Sequence, residues 1–212
     1  MSSRASRRGR LFILSAPSGT GKTTVAERLV ARAAGVRRSI SYTSRRARVG
    51  ETDGVHYHFV TRERFEAMIA GNQFLEWADV FGHLYGTSLV DTERVLAAGD
   101  DLLLVIDVQG GRHVKRQGVP AVSVFLLPPS LAVLESRLRG RDRDSPDAIR
   151  TRLEVAREEI RAYSEYDYVL VNDEVDRCVE RLSCIIVAER CRLAGMAAAA
   201  EDIAGGFPAP GA

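Results

Sequence analysis

Four short apolar runs punctuate this chain: Leu11-Phe12-Ile13-Leu14, Leu102-Leu103-Leu104-Val105-Ile106-Asp107, Ala121-Val122-Ser123-Val124-Phe125-Leu126 and Tyr168-Val169-Leu170-Val171. Each has strand length and is apolar at successive positions, the pattern of a strand covered on both faces. Between the runs, apolar residues return at helical spacing. Val25, Leu29 and Val30 recur beside Glu27, Arg28 and Arg32 and predict a helix opening at about Gly21. Strands alternating with helices predict an α/β fold, a mostly parallel sheet with helices on both faces. Residues 39–91 break the rhythm: they are rich in Tyr, Thr, His, Phe and Gly, with short alternating pieces such as Val55-His56-Tyr57-His58-Phe59. A small mixed-β lobe is expected there. From Ser130 to Ala162 the pattern is helical, interrupted by Gly140-Arg141-Asp142-Arg143-Asp144-Ser145-Pro146. That charged break with Gly and Pro predicts a flap, a lid over about 137–152.

The expected organisation is one domain over 10–195, with a core of 10–38 and 92–195 around the inserted lobe. The ends differ in kind. Residues 1–9 carry Arg4, Arg7 and Arg8 among serines and read as a disordered basic arm; 196–212 are Ala/Gly/Pro-rich and read as a frayed, disordered tail. A length of 212 residues and a hydrophobic fraction of 45% suffice for a sizeable core. The net charge of +2 gives no reason to expect a nucleic-acid partner, and the absence of a long apolar stretch gives none to expect a membrane. Cys178, Cys184 and Cys191 fit no C-x-x-C site, and their odd number without a signal peptide predicts reduced thiols and a cytoplasmic protein. His56 and His58 alternate on one strand but lack a third ligand, and Glu158-Glu159 reads as a solvated helix face.

The chemistry is concentrated in Ala16-Pro17-Ser18-Gly19-Thr20-Gly21-Lys22-Thr23-Thr24, between the first strand and the first helix. Strand, glycine-rich turn and helix together aim backbone N–H groups and a helix N-terminus at phosphates. Among 30 basic side chains only Lys22 and Lys115 are lysine, yet lysine stands where such a loop needs a slim ammonium and a guanidinium is too wide. These nine residues predict a nucleoside triphosphate site. Ala16 replaces the usual first glycine, which is tolerable where that residue keeps φ < 0.

Further motifs converge with the loop: Ser41-Tyr42-Thr43-Ser44-Arg45-Arg46-Ala47-Arg48-Val49-Gly50-Glu51, the stretch from Gly54 to Val60, Phe74-Leu75-Glu76-Trp77, Tyr85-Gly86-Thr87, Ile106-Asp107-Val108-Gln109-Gly110 and Val171-Asn172-Asp173. In order from about Leu11 to Ala188, the chain resembles the guanylate kinases. The resemblance implies a P-loop kinase fold with a nucleoside-monophosphate lobe and a lid. It also implies transfer of the γ-phosphoryl of ATP to GMP with Mg²⁺, and leaves homo-oligomerisation open. It implies GMP-binding roles for Ser41, Arg45, Arg48, Tyr57, Glu76, Tyr85, Thr87, Asp107 and Gly110. Lys22, Arg45 and the flap arginines Arg137, Arg141 and Arg152 would be catalytic, Thr23 a magnesium ligand, and Asn172 a neighbour of the nucleotides.

Guanine presents N1–H and N2–H₂ as donors and O6 as an acceptor. Carboxylates at Glu76 and Asp107 would accept from it, and hydroxyls at Ser41 and Thr87 would donate to O6. Guanylate kinases commonly carry an acid two positions before the residue matching Asp107. This chain has Val105, which implies looser magnesium binding. Two alternatives stay open at this level: a non-catalytic guanylate-kinase-like binding module, and a related kinase of phosphorylated ribose.

Overall fold

The computed structural model describes residues 8–140 and 146–207. In chain order, β1 (Leu11–Ser15) leads through the glycine-rich loop into α1 (Lys22–Arg32) and β2 (Val36–Arg38). The lobe follows as β3 (Tyr42–Thr43), β4 (His58–Phe59), α2 (Arg62–Ala70), β5 (Phe74–Val80) and β6 (His83–Ser88). The chain returns through α3 (Leu89–Ala97), β7 (Asp101–Val105), α4 (Val108–Arg116) and β8 (Val122–Leu127) to α5 (Leu131–Arg139) and α6 (Pro146–Glu159). A 3₁₀ turn at Ile160–Glu165, β9 (Tyr168–Val171), α7 (Val175–Arg190) and α8 (Leu193–Gly205) complete it.

The main sheet has the order β2-β7-β1-β8-β9, and every neighbouring pair is parallel. Alternation along β1 divides the core between the two faces. Phe12 and Leu14 pack with Leu29 of α1 and Leu182 of α7, while Leu11 and Ile13 face Leu96 of α3 and Val114 of α4. The lobe has its own four-stranded sheet, β4-β3-β6-β5, mixed in direction, with Phe65 stacked on Phe74 at 4.5 Å in its core. Leu134 and Leu138 of α5 pack against Ile149 and Ala156 of α6 in a separate cluster.

Two expectations for the ends are corrected. Arg8 forms an ion pair with Glu93, and the Gly9 N–H donates to the Leu96 carbonyl, so the chain is already fixed two residues before the expected boundary. The Ala-rich stretch expected as a frayed tail is helical through Gly205, although α8 buries none of its residues. Alanine is the strongest helix former, and Gly195 of α8 lies against the Arg10 guanidinium. Residues 141–145, the centre of the expected lid, and the remaining terminal residues lie outside the described ones.

Asp101, at the start of β7, is 1% exposed and ties the two ends of the fold together. One oxygen accepts from the Arg10 backbone N–H at 2.8 Å, the other from Arg190 Nε of α7 at 2.8 Å. Removing the carboxylate strands a guanidinium and a backbone donor. Asp101→Ala is therefore expected to destabilise the protein by about 2–3 kcal/mol in urea unfolding, against near zero for a solvated surface acid.

Candidate active site

The phosphate loop leaves the carboxyl end of β1 and enters α1 at Lys22. Gly19 and Gly21 have φ of 88° and 96°, which L side chains rarely adopt, and a Cβ on Gly21 would stand 2.7 Å from Asn172 Nδ2. Ala16 is buried and is not among the non-glycine residues with positive φ, so the first loop position accepts alanine without strain. Asn172 Nδ2 donates to the Thr20 carbonyl at 2.7 Å. Arg137 bridges the same carbonyl and that of Asn172, at 3.2 and 3.1 Å. The loop is thus braced from its outer side. Within it, Lys22 Nζ donates to the Ile106 carbonyl at 2.8 Å at the end of β7. Burial lowers the pKa of this ammonium, and the nearby carboxylates of Asp107 and Glu159 oppose that shift.

The second half of the site depends on an irregularity in β5. Phe74 pairs with Ser88 but Glu76 with Thr87, so one extra residue is accommodated between them. This bulge breaks alternation, and Leu75 and Glu76 both turn inward. Leu75 enters the core of the main sheet; Glu76, 3% exposed, enters the cleft. Trp77, the bulkier neighbour, is on the outside. Thr87 Oγ1 donates to Glu76 Oε1 at 2.6 Å. Desolvation, with a lesser push from Asp107, raises the Glu76 pKa to about 7 despite that hydrogen bond. Gly110 leaves the space this carboxyl needs, since a Cβ there would stand 2.7 Å from Glu76 Oε2. Asp107 is the N-cap of α4, its Oδ1 accepting from the Gly110 N–H at 2.8 Å.

Beside Glu76 lies a cavity of about 220 Å³ lined by Ser41, Tyr57, Tyr85, Arg38, Ser39 and His56, among others. Arg45 stands behind this wall, 8% exposed. It donates to the Tyr85 hydroxyl at 3.1 Å and to Glu51 at 2.8 Å, with its guanidinium against the rings of Tyr57 and Phe59. A second cavity of about 230 Å³ lies over the phosphate loop, between Ala16–Thr24 and Val80, Phe81, Val155 and Glu159. Lys22, Thr23, Val80 and Asp107 line both cavities, which therefore meet at the lysine. Glu159, the last residue of α6, lies against the Ser18 backbone N–H. Burial pushes its pKa up to about 7, and the Lys22 ammonium partly offsets this. Arg152, one face of the same helix, holds its guanidinium 5.6 Å from the centre of the Phe81 ring.

Several of the expected site residues are engaged within the protein itself or lie apart from the cavities. Thr87 has a single hydroxyl proton, which in the empty protein is given to Glu76. Asp107 uses one oxygen to cap α4 and still lines the cavity beside Glu76. Arg45 is bound to Glu51 and Arg48 is exposed, so neither lines the cavity. Arg137 donates to the Thr20 and Asn172 carbonyls and lines a cavity beside Gly19 and Gly21, and Arg141 falls outside the described residues. Glu159 belongs to the site rather than to a solvated face. Arg38 and Phe81 carried no expectation at all. Glu159 was within reach, because it falls seven residues after Arg152, two helical turns along one face.

The hard oxygen donors at the junction, the Thr23 hydroxyl and the Asp107 and Glu159 carboxylates, suit a small divalent cation delivered with a triphosphate. No group of three or more His, Cys, Asp or Glu able to hold a metal occurs among the described residues, so such a cation would depend on the nucleotide for most of its coordination.

Residues 8–189 match the family model described as guanylate kinase. The chain is 51% identical to the guanylate kinase of Neisseria meningitidis serogroup A over 89% of its own length and 91% of that protein. It is 50% identical to that of Syntrophotalea carbinolica over 88% and 89%. The crystal structure of guanylate kinase from Anaplasma phagocytophilum superposes with a TM-score of 0.73 at 34% identity, covering 88% of this chain and 89% of that one. A loop shaped for phosphate, a carboxylate buried in a separate lobe and this breadth of similarity agree, and the chain belongs to the guanylate kinase family.

Proposed function

We infer that this protein transfers the γ-phosphoryl group of ATP to GMP, giving ADP and GDP. The observation that carries the reading is the meeting of two cavities at Lys22, Thr23 and Asp107, one walled by the phosphate loop and the other holding the buried Glu76 carboxylate. ATP places its phosphates on the loop amides and Lys22. GMP enters the lobe, with N1–H and N2–H₂ donating to Glu76 and O6 accepting from Ser41. The Tyr57 and Tyr85 hydroxyls, with Arg38, receive its phosphate. Arg45 joins them if the anion displaces Glu51 from the guanidinium, and Arg48 then has to move inward.

A phosphate oxygen of GMP attacks the γ-phosphorus, and the bond from that phosphorus to the bridging oxygen of ADP breaks. The attacking phosphate is largely dianionic above its second pKa of about 6, so no general base is needed. Catalysis is positioning and cationic stabilisation of a loose, charge-spreading transition state. Lys22 supplies charge at the junction, Arg152 and Arg141 supply it from the lid, and Arg137 and Asn172 keep the loop in shape. A magnesium ion bound with ATP would neutralise phosphate charge, with Thr23 as its protein ligand. Val105 lines the same cavity as Thr23 and Asp107 and offers no carboxylate to its waters, so a high magnesium requirement fits this site.

The direct test is ADP release from ATP with GMP, AMP, IMP, dGMP and ribose phosphates as acceptors. GMP is expected to be preferred, with Lys22→Ala lowering turnover by roughly 10²–10³-fold in a folded protein. Preference for a ribose phosphate, or ATP binding without transfer, would replace this reading by one of its two rivals.

Glu76 gives a second test, on pH. Its pKa of about 7 lies above the ordinary carboxylate value of 4.5, so the folded protein holds this proton more tightly than the unfolded chain. Stability from this group is complete below about 4.5 and declines as pH rises to about 7. Guanine requires the opposite, ionised form. GMP binding near pH 6.5 is therefore expected to release a proton, measured by calorimetry in buffers of differing ionisation enthalpy. Glu76→Gln should reduce the release to the part that comes from the GMP phosphate itself and cut kcat/KM for GMP about 10- to 100-fold, while raising the melting temperature at pH 8. Equal losses for GMP, AMP and IMP would leave Glu76 as a residue of general architecture.

A further inference from the structure

The turn joining β5 to β6 is Phe81-Gly82, with φ of 53° and 80°. Two positive φ values suit a tight hairpin, and glycine, asparagine and aspartate are the residues that adopt them at least cost. Phe81 is neither small nor polar, and its ring is not used to fill a core, since the residue is 52% exposed. An aromatic residue held in left-handed backbone and left in water is doubly unfavourable, and such positions concentrate where strain serves function. What the ring does contact is informative. The Arg152 guanidinium of α6 lies over it at 5.6 Å, and together with Val80 and Val155 it walls the cavity over the phosphate loop. Hairpin tip and lid helix thus meet above Lys22 and Thr23.

We propose that Phe81 is a positioning residue for phosphoryl transfer: its ring carries Arg152 to the edge of the phosphate site. The proposal rests on the reading of Arg152 as a phosphate-binding arginine. The aromatic face holds the guanidinium through the ring quadrupole, more weakly than a phosphate would through charge-assisted hydrogen bonds. Arg152 can therefore be kept close in the empty enzyme and yielded to the phosphates once both nucleotides arrive. Because Phe81 belongs to the lobe with the GMP cavity, its ring ties the arginine to that lobe, and the apolar wall helps keep water from the γ-phosphoryl.

The backbone strain makes the test clean. Phe81→Gly and Phe81→Asn keep residues suited to the turn while removing the ring. Both should fold with an unchanged or higher melting temperature, and kcat should fall roughly tenfold with smaller changes in KM for either substrate. Phe81→Tyr and Phe81→Trp should restore kcat to near wild type. In an Arg152→Ala background, itself slow, Phe81→Gly should have no further effect. Wild-type kcat in both Phe81→Gly and Phe81→Asn would overturn the proposal, as would a full tenfold loss persisting in the Arg152→Ala background. A fall in melting temperature in both variants would make Phe81 a structural residue instead. Wild-type turnover in Arg152→Ala alone would remove the reading beneath the proposal, whereas slow Arg152→Ala beside unaffected Phe81 variants would remove only the link through the ring.

Discussion

The structure is organised around one unfavourable act, the holding of an ammonium group in the cleft at the carboxyl ends of β1 and β7. Lys22 sits there through a bond to the Ile106 carbonyl, and burial alone would drive it toward the neutral amine. The carboxylates of Asp107 and Glu159 oppose that drift. They come from different parts of the fold, one at the start of α4 and the other at the end of α6. Parallel pairing of β1 with β7 brings the loop and Asp107 together, although the strands are far apart in sequence. The lid helix adds the second carboxylate. A triphosphate entering this site meets a cation whose counter-charges are already arranged, so little reorganisation is required.

The lobe solves a related problem with the opposite charge. A bulge in β5 turns Glu76 inward, and Gly110 leaves it room. With a proton the carboxyl is comfortable in its pocket, and without one it can accept from guanine. The empty protein favours the protonated form and the bound base the ionised one, so discrimination is obtained against stability. Thr87 holds the Glu76 carboxyl in place through its hydroxyl. Arg45, likewise behind the wall, is pre-paired with Glu51, which keeps a buried guanidinium satisfied before the phosphate arrives.

The legible parts of this molecule were those written in local pattern. The apolar runs, the glycine turn and a lysine in a chain whose basic residues are nearly all arginine mark the main sheet and the phosphate loop without any knowledge of relatives. Glu76 was legible only through resemblance, because alternation beside a tryptophan says nothing about which residue a bulge turns inward. The partners that Thr87 and Asp107 hold within the protein leave no mark in the sequence, because hydrogen-bond capacity is settled in three dimensions. Arg38 was hidden among many arginines, and Phe81 because a strained turn leaves no periodic signal. The Ala-rich C-terminal stretch was read by composition as loose, when the same composition favours helix.

The central claim, that the loop site and the lobe site form one cleft joined at Lys22, is tested most directly by calorimetric titration with a single molecule carrying adenosine and guanosine on a shared polyphosphate bridge. The account predicts one molecule bound per chain, more tightly than either ATP or GMP alone, with ATP and GMP each displacing it. Two independent weak sites, or affinity no better than that of ATP, would contradict it.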